Sequence, residues 1–316
     1  MAQKNIIGTS IDRAVELLRA GEVIGVPTET VYGLAGNALD EHAASQIFAV
    51  KERPSFDPLI VHVGDVNDIE RYVQEVPSIL REIMDDHMPG PITVLLQRSE
   101  VIPDLITAGL DRVAIRIPAH PMMRELLGRL DFPLAAPSAN PFGYISPTTA
   151  QHVVDQLGAK IPYVLDGGAC MVGVESTIVG VEQGRLTVYR KGGLPIEILR
   201  EYDDRLKVNI HSDSNPGAPG MLKSHYAPSC GIELVTEYDS GDGIGAITFG
   251  ETVDGITEEY HYDLSPSRDY QEAARNLFKA MRYLDSLGLF KIQVKLLPEK
   301  YLGVAINDRL RRAAAE

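Results

Sequence analysis

Residues 23–35 read Val-Ile-Gly-Val-Pro-Thr-Glu-Thr-Val-Tyr-Gly-Leu-Ala. Val23 to Val26 has the length and apolarity of a short buried strand, and a Thr/Tyr/Gly turn, Pro27 to Ala35, follows at its end. Strand ends of an α/β sheet are where ligands are met. Hydroxyls there suit a small polar substrate; Thr residues that only brace a turn give the same pattern, and this stretch alone favours neither.

The flanking periodicity extends the α/β reading. Ser10 to Ala20 predicts a helix capped by Ser10 and closed by Gly21. Helices are also expected at Asp40 to Val50, Ser78 to Asp86, Pro121 to Arg129 and Thr148 to Leu157. Strands are expected at Leu59 to Val63, Ile92 to Leu96, Val113 to Ile117, Leu134 to Ala136, Tyr163 to Leu165, Ser176 to Val179 and Leu186 to Tyr189. Asn209 to Met221 is rich in Ser, Asn, Gly and Pro and reads as a linker. Beyond it, strands at Ile244 to Phe249 and Ile292 to Leu297 alternate with helices at Arg268 to Leu287 and Ile306 to Ala314, a pattern that predicts a small three-layer domain with a parallel sheet. The expected organisation is a first domain over 1–208, a linker or lid over 209–230 and a second domain over 231–316.

The chain has 316 residues and a formal net charge of −14. Residues 1–208 hold 19 basic against 28 acidic side chains and residues 209–316 hold 11 against 16, so neither half is basic. Bulk charge therefore argues against a protein that coats nucleic acid or an anionic membrane, and strong direct nucleic-acid binding is not expected. Two cysteines cannot build a disulfide framework or a thiolate zinc site. No apolar run is long enough for a membrane span and no signal segment is evident, so a cytoplasmic protein is expected.

Phosphate-loop, H-E-x-x-H, C-x-x-C, G-x-S-x-G and S-x-x-K patterns are absent. Cations recur instead at element ends. Lys51 and Arg53 stand in a Pro-bounded loop, Arg116 ends one strand, and Arg190 ends another. Fixed cations suit a polyphosphate, although Lys51 and Arg53 also suit the negative end of a helix dipole. Ala136-Pro137-Ser138-Ala139-Asn140 and Ser146-Pro147-Thr148 add neutral donors and acceptors. Together these residues form a plausible anion pocket, with a nucleotide triphosphate as its natural occupant.

The motifs also form an ordered set from Pro27 to Gly193: P-T-E-T-V-Y-G-L, K-x-R-P-x-x-x-P-L, P-G-P-x-T, R-x-P-x-H, A-P-S-A-N-x-x-G-x-x-S-P-T, D-G-G…G-x-E-S-T-I and R-x-G-G. With Pro219-Gly220-Met221 and His225-Tyr226-Ala227-Pro228 after them, the chain resembles the YrdC-like family in its long, threonylcarbamoyl-AMP synthase form. The resemblance implies a twisted open α/β sheet with a basic cavity, followed by a smaller Rossmann-like α/β domain. It implies a nucleotidyltransferase that turns L-threonine, bicarbonate and ATP into threonylcarbamoyl-AMP and pyrophosphate, the product passing to proteins that modify tRNA. Such a reaction needs no protein nucleophile, because the carbamate is the nucleophile; Mg²⁺ would be held mainly by phosphates, with no protein ligand firmly assigned.

By matching motif, the resemblance places Lys51, Arg53, Ser138 and Asn140 around the nucleotide and reacting carbamate. It places Thr30, His62, Arg116, Ala136 and Ser176 at the threonine site, Arg116 on the carboxylate, with Thr28 and Tyr32 flanking. Arg53, Asp57, Ser138, Ser146, Arg190 and Tyr226 fall at the ATP site. Two positions depart from the family: Asp57 stands where Asn is common, and Leu222-Lys223-Ser224 replaces a more basic stretch before H-Y-A-P. An alternative is a non-catalytic YrdC-like RNA-binding or regulatory module. Carbamoyl transfer to a protein, as in hydrogenase maturation, is a third, but the extra regions of those enzymes are not evident.

Overall fold

In the computed structural model, residues 6–209, 218–219 and 225–315 are described. Local signals set the first elements. The Ser10 hydroxyl accepts from the Arg13 N–H at 3.2 Å and caps helix Ile11–Arg19, and Gly21 turns the chain away at φ +82°. Asp40 caps helix Glu41–Lys51 through the His42 N–H, and Glu52 adopts φ 55° at its other end. That helix delivers Lys51, its last residue, to the loop that follows strand Leu134–Ala135.

Eleven described strands form that sheet, in the order Ile7–Gly8, Val164–Leu165, Ile24–Val26, Gly33–Asn37, Leu134–Ala135, Ile60–His62, Arg112–Arg116, Ile92–Gln97, Thr177–Glu182, Arg185–Arg190 and Lys207–Val208. It is mixed: Ile60–His62 runs parallel to Arg112–Arg116 and antiparallel to Leu134–Ala135. The α/β sheet expected from the sequence is present. Three of its strands are not expected from the sequence: the short edge strands Ile7–Gly8 and Lys207–Val208, and one that starts inside the quoted stretch. The turn ends at Tyr32, and Gly33–Asn37 is a strand paired antiparallel to Ile24–Val26. Gly-Leu-Ala-Gly-Asn has low strand propensity; burial and pairing on both sides impose the conformation. A Cβ on Gly33 would meet the Ala136 Cβ at 3.1 Å, so the close approach suits glycine.

The second sheet has four parallel strands, in the order Ile232–Leu234, Lys291–Val294, Ile244–Thr248 and His261–Asp263. Helix Tyr270–Ser286 buries Ala273, Ala274, Leu277, Phe278, Ala280, Met281 and Leu284, one face at helical spacing. It packs directly on helix Leu302–Ala313, so both lie on one face of the sheet. The expected third layer is not formed by helices, because residues 235–243 join the first two strands without one. The last helix begins four residues before Ile306. Val31, Ile145 and Val174 of the first block share a core with Phe278, Leu277 and Met281, so the two blocks meet through apolar surface. No described helix is long and apolar enough to cross a membrane.

A cationic cavity as candidate active site

The strand ends and loops named above open onto one cavity of about 610 Å³, counted to its open mouth. Thr28, Thr30, Arg53, Asp57, His62, Arg116, Ala136, Ser138, Arg190 and Tyr226, all singled out from the sequence, line it. Lys51, Asn140, Ser146, Ser176 and Tyr32 do not; they stand behind the wall and hold it. The Lys51 ammonium is 1% exposed and donates to the Ser138 and Asn140 carbonyls, each at 2.5 Å, so it fastens the loop that carries both. Burial, then the neighbouring Arg53 charge, pushes its pKa well below the usual lysine range. Tyr32 donates to the Gly168 carbonyl at 2.7 Å and accepts from the Gly167 N–H. Ser146 donates to Glu175 at 2.6 Å, and Asn140 donates to the Pro141 and Tyr144 carbonyls.

Thr28 bears out the bracing reading of the turn. Its hydroxyl donates to the Val31 carbonyl at 2.6 Å, bracing the backbone, while the residue also faces the cavity. Thr30 accepts from Arg116 Nη1 at 2.9 Å. Arg116 also donates to Glu29 at 2.6 Å and to the Gly90 carbonyl at 3.3 Å. A guanidinium has five N–H groups, so two remain for a ligand carboxylate. Glu29 was not identified from the sequence as a site residue, although it lies inside the quoted turn. It orients Arg116 while its second oxygen accepts from the Ala119 N–H.

Arg190 donates to the Ser176 carbonyl and hydroxyl, both at 3.0 Å, and Ser176 meets Thr93 at 2.7 Å. Burial lowers the Arg190 pKa to about 10, so it stays cationic at neutral pH. Asp57 forms a buried ion pair with Arg53 at 2.8 Å, and Arg53 also donates to the Asp57 and Pro58 carbonyls. This resolves the departure at that position: the carboxylate meets a guanidinium.

The second block reaches this site. Arg309, on helix Leu302–Ala313, is fully buried and donates to Glu175 at 2.8 Å, to the Lys191 carbonyl at 2.8 Å and to Asp308. Its guanidinium lies 5.2 Å from the Tyr226 ring centre, and that ring stacks on Phe278. Burial alone would raise the Glu175 pKa; the Arg309 and Arg190 charges and the Ser146 hydrogen bond bring it down to about 2. Arg309 had no recognisable sequence signal, being one arginine of an amphipathic helix that also carries Arg311 and Arg312. Ala218 packs beside Ile60 and Ala114, and Pro219 lines the cavity. Gly220, Met221 and Leu222-Lys223-Ser224 lie outside the described residues.

His62 and His225 line the same cavity, and burial lowers each to about 3. Both are neutral at pH 7. A folded-state value below the unfolded 6.5 means that the unfolded chain binds more protons in between, so stability is full above about pH 6.5 and falls as pH drops toward 3. We expect a slope of about 1.4 kcal/mol per pH unit for each histidine. Urea unfolding of His62→Gln from pH 6 to 4 should show a shallower decline than the parent; an identical slope would contradict the neutral assignment.

Sequence comparison then fixes the ancestry. The profile of the family described as "Telomere recombination" matches residues 16–192, and that described as "Threonylcarbamoyl-AMP synthase, C-terminal domain" matches residues 194–315. The threonylcarbamoyl-AMP synthase of Pyrococcus abyssi is 37% identical, over 95% of this chain and 93% of that one. The chain belongs to the threonylcarbamoyl-AMP synthase family. The Bacillus subtilis threonylcarbamoyl-AMP synthase is 34% identical over 96% of this chain and 92% of its own length. The crystal structure of P. abyssi Sua5 complexed with L-threonine superposes with a TM-score of 0.90 at 35% identity, covering 98% of this chain and 97% of that one. Membership in the threonylcarbamoyl-AMP synthase family accounts for the chain's two-block form, since its two profiles adjoin at residues 192–194.

Proposed function

We propose that this member of the family makes threonylcarbamoyl-AMP and pyrophosphate from L-threonine, bicarbonate and ATP. The observation that carries the reading is convergence: motif residues from separate segments, Thr30, Arg53, His62, Arg116, Ser138, Arg190 and Tyr226, face one cavity. Threonine's carboxylate would take the two unused N–H groups of Arg116, with neutral His62 beside it as a hydrogen-bonding group. Bicarbonate takes a proton and loses water to give carbon dioxide; the neutral threonine amine adds to its carbon and releases a proton, giving a carbamate; a carbamate oxygen then attacks the α-phosphorus as the bond to pyrophosphate breaks. Arg53 and Arg190, both lining the cavity, would meet phosphoryl charge, which is the main demand of such a transfer.

The carboxylates that face the cavity, Asp57 and Glu175, each already hold a guanidinium. The residues therefore suit Mg²⁺ brought in on ATP and held by phosphate oxygens and water, where it would neutralise phosphoryl charge. Asp57→Asn removes a negative charge beside Arg53, so the KM for ATP should fall by about three- to tenfold. An unchanged or raised KM would argue that Arg53 does not meet the phosphates.

The product, an activated carbamate, would be handed to proteins that modify tRNA. The deciding experiment incubates the purified chain with ATP, Mg²⁺, L-threonine and bicarbonate and follows pyrophosphate release and product mass. Release that needs all three substrates supports the reading. No release, together with tight tRNA binding at physiological salt, would favour an RNA-binding module instead.

A further inference from the structure

A second cavity, of about 840 Å³ counted to its open mouth, lies in the C-terminal block. All four strands of the parallel sheet point their carboxyl ends the same way, and the segments after them build it. Tyr238 follows the first strand, Phe249 and Glu251 follow Ile244–Thr248, and Lys295 follows Lys291–Val294. Arg268 and Tyr270 come after the edge strand His261–Asp263. The chain runs outward from Ile244–Thr248 to His261–Asp263, then returns across it to Lys291–Val294. The reversal falls between the strands that border the cavity. A crevice at such a reversal, outside the carboxyl ends, is where open parallel sheets bind ligands.

Its chemistry is selective. The rings of Tyr238, Phe249 and Tyr270 line it together with Arg268, Lys295 and Lys300, against one lining carboxylate, Glu251, which pairs with Lys295 at 3.3 Å. This is a cationic patch on a block whose residues 209–316 are acidic overall. Lys295 Nζ lies 4.5 Å from the Tyr238 ring centre and Lys300 Nζ 5.6 Å from that of Tyr270, so charges and ring faces are interleaved. Two non-glycine residues at its rim are strained: Arg268 at φ 60° and Tyr301, whose ring meets Tyr270, at φ 50° and ψ −133°. Neither side chain belongs to the first cavity.

We propose that this cavity is a second ligand site, separate from the candidate active site, for a nucleoside phosphate. The base stacks on the aromatic rings, the phosphates meet Arg268 and Lys300 first, and Lys295, held by Glu251, adds its remaining N–H groups, while the second Glu251 oxygen accepts from a ribose hydroxyl or exocyclic amine. Photolabelling with 8-azido-ATP and 8-azido-AMP, followed by peptide mapping, reads its location directly. We expect label on peptides containing Phe249 or Tyr270, competed by ATP more strongly than by pyrophosphate. In Lys295→Gln/Lys300→Gln, which sets no like charge against Glu251, and in the exposed single variant Arg268→Ala, that label should fall about tenfold, while turnover is unchanged and each variant still melts as a folded protein. Equal labelling in these variants, label confined to residues before 209, or protection by tRNA but not by free nucleotide would each overturn the proposal. Because position is read, loss of label in the first block would count against the active-site reading and not against this one.

Discussion

Lys51→Met lowers kcat/KM by about a thousandfold or more, with the fold retained. The methionine fills the same volume and removes the donor. Two buried carbonyls, those of Ser138 and Asn140, then lose a partner at 2.5 Å. Each unsatisfied group costs about 1–3 kcal/mol, so the loop relaxes to find others. Ser138 lines the cavity on that loop, and a shift of about 1 Å in a positioned group can cost about a hundredfold in rate. Loss of a cation close to Arg53 also weakens the field on the phosphates. Lys51→Arg should not restore activity, because the site is fully packed around a linear chain. Steady-state kinetics and a thermal melt together decide it. Wild-type kcat/KM in a folded Lys51→Met protein would refute the role given to this lysine.

Arg309→Leu destabilises the protein by about 3–5 kcal/mol, the usual consequence of leaving one partner of a buried ion pair uncompensated. Glu175 would be the orphan, with the Ser146 hydroxyl left as its hydrogen-bond donor. The double variant Glu175→Gln/Arg309→Leu should recover part of that loss, since the carboxylate no longer faces a missing guanidinium, although buried Arg190 then loses the Glu175 charge. The pair also predicts a pH effect. Its folded-state value of about 2 lies below the ordinary 4.5, so its contribution is present above about pH 4.5 and is lost as pH falls toward 2. Turnover should drop as well: Arg309 faces the Tyr226 ring, which lines the cavity. Urea unfolding provides the measurement. A single-variant loss below about 0.5 kcal/mol, the level of an ordinary surface change, would remove the second block from the site's construction.

These two residues differ in how far they could be read in advance. Lys51 stands in a Pro-bounded motif beside Arg53, and its type and neighbours already suggested an anion pocket. Even so, its place behind the cavity wall was not legible, because contact with Ser138 and Asn140 spans almost ninety residues. Arg309 carries no local pattern that separates it from Arg311 and Arg312; its burial exists because one helix of the second block packs against Glu175 of the first. Asp57 departs from the family's common Asn, and the sequence does not say what its carboxylate meets; the structure pairs it with Arg53. The strand Gly33–Asn37 was invisible for a related reason, since its propensity is poor and its neighbours impose it.

Periodicity, caps and turn residues by themselves determined the alternation of helices and strands, the acidic exterior and the ordered motifs, because each depends on residues a few positions apart. Tertiary structure alone decided which side chains face the cavity and which hold the wall, that Glu29 meets Arg116, and that the second block supplies a buried arginine to Glu175. The Arg116–Glu29 and Arg309–Glu175 contacts join segments distant in sequence, and even the local Arg53–Asp57 pair owes its strength to burial that no local stretch encodes.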